Sequence, residues 1–226
     1  MKAGQKIIRV MFLLLIVAFL TATAASPCRA QIYLSTDIPA DMGGSPYDDR
    51  DIVSYGNSSF SSYLDGSAIG IPDGVNVVSF GFSGDNRIFS VDVPTDLDGS
   101  AYTERDIISY DGSNFSKLFD GAAAGIPAGA RIDAATVLGD GSIVLSLDVT
   151  VELGATTYED RDLIMYSAST FSMYFDGSLN SIPDGVNLDG VCVNSSGIPE
   201  GANLDAFALK VVTERAMPWL LLLLGD

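Results

Sequence analysis

Apolar, aromatic and β-branched residues occur along this chain in short runs, and glycine, aspartate, asparagine and serine separate one run from the next. Such runs, about five to eight residues long, are typical of β-strands. The first runs predict strands near Gln31–Thr36, Asp51–Tyr55, Phe60–Leu64 and Val75–Phe82, and the next is Arg87–Asp92. No segment after residue 30 has a sustained helical period with caps, so helices should be rare.

Turn-forming residues between the runs predict how the strands connect. Gly56-Asn57 and Asp111-Gly112 suit a tight hairpin between two strands, and Ser83–Asn86 and Gly139–Gly141 suit another. A longer connection, such as Ile38–Arg50, separates the first strand of the group from the second. Connections of this length are often functional or metal-bound.

The whole pattern recurs three times. Arg50-Asp51-Ile52 returns as Arg105-Asp106-Ile107 and as Arg161-Asp162-Leu163, at offsets of 55 and then 56 residues. Other elements return in the same order at the same offsets, namely Phe60-Ser61, Asp65-Gly66 and Ile71-Pro72. The recurrence predicts a duplicated unit, with copies at about 31–86, 87–141 and 142–197 and a partial copy at 198–210.

Four strands in about 50 residues is the size of a β-propeller blade. The sequence therefore predicts an all-β fold of repeated four-stranded antiparallel units, β-propeller-like, in which Tyr55, Phe60 and their equivalents stack between neighbouring units. Closed propellers usually have about four to eight blades, whereas this chain has three full units. After them, Ile182–Asp189 recurs as Ile198–Asp205, in place of a fourth unit. An open array, a compact three-unit body and an incomplete propeller all fit this count, and exposed strand edges would favour self-association.

The Arg-Asp-Ile-Val and Phe-Asp-Gly-Ser types of motif also carry a resemblance. Over about Gln31 to Leu209, the sequence resembles repeat families of exported bacterial proteins with Asp-rich blades, most of them functionally uncharacterised. The resemblance implies propeller-like architecture and says almost nothing about activity.

The two ends of the chain differ from the repeats. Basic residues precede the apolar run Val10–Leu20, and small residues follow it, which predicts a signal peptide over residues 1–30. Cleavage before Gln31 or before Ala25 fits the usual rules, and a retained membrane anchor is the alternative, although the run is well short of the ~20 residues that a spanning helix needs. We therefore expect a secreted, periplasmic or cell-envelope protein. The tail, 211–226, is either the buried end of a strand or a sorting remnant. Cleavage at Gln31 would leave Cys192 as the single cysteine, which excludes an intramolecular disulfide.

The net charge and the lack of histidine argue against several classes of function. The formal net charge is −17, and there is no histidine. A surface this negative repels phosphate backbones, which argues against nucleic acid as a partner. Without histidine the chain lacks the usual general base near neutral pH and the commonest zinc ligand.

The long connections are acidic and rich in glycine, which are the ingredients of a calcium site with oxygen ligands. Their spacing does not match the EF-hand loop. The alternative is structural, because carboxylates also cap turns and pair with the neighbouring Arg50, Arg105 and Arg161. The candidate metal ligands are Asp37, Asp49, Asp51, Asp92, Glu104, Asp106, Asp148, Asp160 and Asp162.

Catalysis would have to use aspartate, glutamate, tyrosine, serine or lysine, since serine–histidine–aspartate chemistry is impossible without histidine. The acidic residues recur in every unit, whereas an active site needs one asymmetric arrangement, so we assign no catalytic residue. The sequence favours an exported acidic repeat protein with a non-catalytic binding or structural role, whose partner is a protein or a glycan. The alternatives are a carboxylate-dependent carbohydrate-active enzyme and a truncated gene product without an independent role.

Overall fold

The structure is a computed structural model that describes residues 31–56, 58–190 and 208–210. The predicted signal peptide, the tail, Cys192 and most of the partial fourth copy lie outside these residues. Within them the chain forms eighteen strands and one short helix, α1 (Gly121–Ala124). The prediction of an all-β fold is confirmed. No helix in the described ranges is long and apolar enough to cross a membrane.

Twelve of the strands form three four-stranded antiparallel sheets. The first sheet has the order β18 (Ala208–Lys210), β1 (Gln31–Leu34), β4 (Ile52–Gly56), β5 (Ser59–Leu64). The second has the order β6 (Val77–Ser83), β7 (Asn86–Val91), β10 (Ile107–Tyr110), β11 (Phe115–Phe119). The third has the order β12 (Ile132–Val137), β13 (Ile143–Leu147), β16 (Leu163–Ser167), β17 (Thr170–Phe175).

The other six strands form a small hairpin inside each long connection, where the sequence predicted only a loop. These hairpins pair β2 (Ala40–Met42) with β3 (Ser45–Tyr47), β8 (Thr95–Leu97) with β9 (Ser100–Tyr102), and β14 (Val151–Leu153) with β15 (Thr156–Tyr158). In the second hairpin the turn is Asp98-Gly99, with φ values of 52° and 77°, which is the left-handed backbone that a two-residue hairpin turn requires. Each hairpin ends on a buried tyrosine (Tyr47, Tyr102, Tyr158).

The sheets do not coincide with the units of the sequence repeat. The second sheet takes its first strand, β6, from before residue 86, and the third takes β12 from before residue 141. The reason is the tight turn that joins the end of one sequence unit to the start of the next, because it makes β6 and β7 neighbours in one hairpin. The first sheet receives its first strand from residues 208–210.

Two apolar clusters fill the spaces between the sheets. One joins the first and second sheets around Ile52 and Phe80, and the other joins the second and third around Ile107 and Leu145. Every residue of β13 is buried, so this strand is covered on both faces. Each fully buried isoleucine, leucine or phenylalanine stabilises the fold by about 1.5–3 kcal/mol.

The aromatic residues that the sequence predicted to stack between units are paired with each other, and each pair lies within its own hairpin. Tyr55 and Phe60 are cross-strand partners in β4 and β5, with ring centroids 4.8 Å apart. The equivalent pairs are Tyr110–Phe115 at 4.8 Å and Tyr166–Phe171 at 4.9 Å. A ring contact between sheets does occur at Phe119–Tyr166, also at 4.8 Å.

Candidate functional site

The recurring Arg-Asp motif holds each unit together locally. The buried Asp51 accepts hydrogen bonds from the backbone N–H of Asp48 and of Gly66, both at 2.9 Å. The neighbouring Arg50 donates to the carbonyl oxygen of Ile71 at 3.0 Å. The Arg-Asp, Asp-Gly and Ile-Pro motifs of the sequence therefore meet in one hydrogen-bonded structure.

The other two units build the same structure. Asp106 accepts from the N–H of Gly121 at 3.1 Å, and Asp162 accepts from that of Gly177 at 2.9 Å. The second unit adds Lys117, whose ammonium lies 2.9 Å from the carboxylate of Asp106. Three of the nine candidate metal ligands thus have a structural role that the whole repeat shares.

The remaining candidates differ in what they do. Asp92 and Asp148 each accept a hydrogen bond of 2.7 Å from a backbone N–H, that of Asn76 and that of Arg131 respectively. The backbone carbonyls of Asp49, Glu104 and Asp160 accept hydrogen bonds of 3.0–3.2 Å from the backbone N–H groups of Val77, Ile132 and Leu188, respectively. Asp37 is exposed.

The described part of the chain contains no group of three or more acidic or cysteine side chains arranged to hold a metal ion. Calcium binding by these connections stays a prediction, because the geometry shows only what the oxygens bind within the protein.

One polar cavity collects equivalent positions from all three units. Its volume is about 280 Å³. The lining residues fall into three repeat positions, which are Asp37 with Asp92, Asn76 with Arg131 and Asn187, and Val78 with Asp133 and Asp189. We refer to it as the convergent pocket, because equivalent positions of the three units meet there.

The convergent pocket is not symmetric, although the repeat is. Arg131 stands where the other units have asparagine, and its Nε donates to the carboxylate of Asp133 at 2.7 Å. The side-chain amide of Asn187 donates to Asp133 and to Asp189, both at 2.6 Å. The first unit has Val78 at the position of Asp133, so this network belongs to the second and third units.

Burial controls the protonation of this network. Asp133 is 3% exposed, and loss of hydration raises the pKa of its carboxyl group above the ordinary value, while the hydrogen bonds from Asn187 and Arg131 act in the opposite direction. Arg131 keeps its charge, because the bond to Asp133 raises its pKa despite partial burial.

Two amide oxygens in the convergent pocket are left without partners. Oδ1 of Asn76 and Oδ1 of Asn187 are buried and accept no hydrogen bond from the described residues. A buried acceptor without a donor costs about 1–3 kcal/mol. A ligand that donates hydrogen bonds at this place would recover that energy.

Arg131 and Asp133 were not among the candidate residues predicted from the sequence. The available signal was a departure from the repeat, since Ile-Pro-Ala-Gly-Ala-Arg-Ile-Asp replaces the Ile-Pro-Asp-Gly-Val-Asn-Val-Val of the first unit. Positions where one copy differs from the others locate an asymmetric site better than positions that all copies share.

No protein-family model matches the chain, and no curated protein or solved structure is significantly similar to it. Function must therefore be inferred from the chemistry of the convergent pocket and from the repeat itself.

Proposed function

We propose that this chain is an exported, non-catalytic binding protein that holds a small hydrogen-bond-donating ligand, such as a glycan residue, in the convergent pocket. The unpartnered acceptors of Asn76 and Asn187 carry the proposal, because they need donors that the described residues do not supply. Hydroxyl groups of a sugar or N–H groups of an amine are donors of that kind. The carboxylates of Asp37 and Asp92 beside them accept the same groups.

The proposal includes a propeller-like arrangement in which the three sheets surround the convergent pocket. Repeated contacts between neighbouring sheets support it. Ser90 Oγ donates to the carbonyl of Ile132 at 2.7 Å, and Ser146 Oγ donates to that of Leu188 at 2.6 Å, two equivalent bonds one unit apart. The pairing of β18 with β1 supports ring closure, because it brings the end of the described chain into the first sheet.

The geometry of Asp133 favours binding over catalysis. A general acid must give its proton to the substrate, and a general base must take one. Both oxygens of Asp133 accept hydrogen bonds from the protein, Oδ1 from Arg131 and Oδ2 from Asn187. This carboxylate is therefore engaged in holding the pocket together, and the carbohydrate-active enzyme is the less supported alternative.

The decisive experiment makes the pocket resemble the first unit. The double variant Arg131→Asn and Asp133→Val restores the residues found at Asn76 and Val78, and it leaves the net charge unchanged. Wild-type protein is titrated with a panel of monosaccharides and primary amines by isothermal calorimetry. We expect at least one saturable ligand, with binding at least about tenfold weaker in the double variant, because Asn187 loses the bond to Asp133 that orients its unpartnered acceptor.

Three outcomes would contradict parts of this proposal. The absence of any saturable ligand removes the binding role, and unchanged affinity in a folded double variant removes the convergent pocket as its site. Hydrolysis of a glycan by the wild-type protein, lost in the Asp133→Asn variant, would establish the enzyme instead. Circular dichroism of each variant verifies that it folds.

A further inference from the structure

The space between the first and second sheets is filled by aromatic rings and one arginine. Tyr33 and Tyr63 of the first sheet contact Phe80 and Phe82 of the second, with ring centroids 5.2–6.1 Å apart. The guanidinium carbon of Arg87 lies 5.6 Å from the ring centroid of Tyr63. This cation–π contact completes the packing between these two sheets.

The same positions between the second and third sheets carry smaller side chains. In the repeat register given by the strand pairs, aliphatic residues replace all four rings and the arginine, namely Ile88 for Tyr33, Leu118 for Tyr63, Ala135 for Phe80, Val137 for Phe82 and Ile143 for Arg87. The four rings and the guanidinium of the first interface therefore have no counterpart at these positions of the second, which gains one ring because Phe119 stands where the first unit has Leu64. Because each pair of sheets is connected in the same way, these losses leave space that the first interface fills.

A cavity of about 300 Å³ lies at that place, and we name it the inter-sheet cavity. Three of the replacing residues, Leu118, Val137 and Ile143, line it. The other lining groups are two aromatic rings, two hydroxyls bonded to each other at 3.0 Å, and one carboxylate, namely Phe119, Tyr166, Ser142, Ser167 and Asp140.

The carboxylate stays ionised. Asp140 is an exposed turn residue that accepts a hydrogen bond of 2.9 Å from the backbone N–H of Ser142. That hydrogen bond lowers the pKa of the Asp140 carboxyl. The inter-sheet cavity thus combines apolar and aromatic walls with a negative charge.

We propose that the inter-sheet cavity binds a small aromatic cation. The inference rests on the internal comparison, since the protein itself places rings and a cationic group in the equivalent space of the first interface. The aromatic part would contact Leu118, Val137 and the ring of Tyr166, and the cationic part would pair with Asp140. The net charge of −17 attracts such a ligand over longer distances. This site is separate from the convergent pocket, so the proposal does not depend on the proposed function.

The experiment uses three probes that separate the contributions of the ring and the charge. Benzamidine has both, benzamide has the ring alone, and acetamidine has the charge alone. Binding is followed by NMR titration of backbone amides. We expect saturable benzamidine shifts at Tyr166 and Ala168 with a Kd on the order of 1 mM, as suits a ligand of so few atoms. Benzamide should bind at least about threefold more weakly, because it lacks the ionic contact, and acetamidine should not saturate.

Two variants and one matched control locate the site. Val137→Phe restores the ring found at Phe82 and fills the cavity, so benzamidine affinity should fall at least about tenfold. Val149→Phe makes the same change at an exposed valine and should leave affinity unchanged. Asp140→Asn keeps the acceptor for the Ser142 N–H and removes the charge. It should weaken benzamidine binding by about three- to fivefold and leave benzamide unaffected.

The outcomes decide the proposal even if Val137→Phe fails to fold, because Asp140 lies on an exposed turn. Benzamidine shifts that map to other residues, or that fail to saturate, would overturn it. Equal affinity for benzamidine in the wild-type protein and in Asp140→Asn would overturn the ionic contact, and with it the assignment of a cation. If the Val137→Phe variant folds and still binds benzamidine with unchanged affinity, the cavity is not the site.

Discussion

The glycine of each Asp-Gly motif provides the sharpest test of how the repeat folds. The backbone of Gly121 packs closely against that of Arg105. A Cβ atom added at Gly121 would sit 2.1 Å from the backbone carbonyl oxygen of Arg105. Ordinary contacts of a Cβ begin at about 3.4 Å. The obstacle is backbone, which cannot rotate away as a flexible side chain can. The equivalent distances at Gly66 and Gly177 are 2.4 Å and 2.2 Å, so the requirement recurs in every unit.

We expect Gly121→Ala to destabilise the protein by about 4 kcal/mol. Overpacking with a backbone shift costs about 1–3 kcal/mol. The shift also breaks the bond from the Gly121 N–H to the buried Asp106, and an unsatisfied buried group costs about another 1–3 kcal/mol. For a chain of this size the melting temperature should fall by roughly 8–16 °C.

The assay is urea and thermal unfolding followed by far-ultraviolet circular dichroism. Gly139→Ala is the matched control, because no heavy atom lies within 4 Å of its added Cβ and its φ is not in the left-handed region. The control should be neutral or gain up to about 1 kcal/mol from reduced entropy of the unfolded chain. A Gly121→Ala variant whose unfolding free energy lies within about 0.5 kcal/mol of wild type would refute the reasoning.

Three further predictions concern charge, metal and export. Burial raises the pKa of Asp133, so its contribution to stability is present below the unfolded-state pKa and is lost as pH rises through the folded-state pKa. The unfolding free energy of the wild type relative to that of Asp133→Asn should therefore fall with rising pH in urea titrations. An increase with pH would contradict this. The calcium hypothesis predicts that a chelator lowers the melting temperature by several degrees, whereas an unchanged curve with no metal in elemental analysis rejects it. The signal-peptide hypothesis predicts an exported protein whose N-terminal residue is Gln31 or Ala25, and N-terminal sequencing that begins at Met1 would reject it.

The strands and most hairpins could be predicted because their signals are local. Runs such as Val75–Phe82 alternate with turn formers, and both kinds of residue act over a few positions. The small hairpins were missed although Asp98-Gly99 is a strong turn signal, because their strands are only three residues long. The repeat also could not predict which strands share a sheet. A period of 55 residues fixes the spacing of equivalent strands, but it leaves open where one sheet ends and the next begins.

The candidate sites could not be predicted from the motifs alone, because they depend on contacts between residues that are far apart in the sequence. The role of Asp51 required knowing that Gly66, fifteen residues away, would reach its carboxylate. The convergent pocket required equivalent positions of different units to meet, which brings Arg131 and Asn187 together across 56 residues of sequence. Both cavities were detectable in principle as differences between copies, because a residue that departs from the repeat does not serve what all units need.

The antiparallel pairing of Gln31 with Lys210 has a consequence for synthesis of the protein. The second and third sheets are each made from one continuous stretch and can form before the end of the chain is available to them. The first sheet stays one strand short until residue 210 has emerged. A message that ends before codon 208 would yield a product whose β1 keeps an open hydrogen-bonding edge, and such edges recruit further chains.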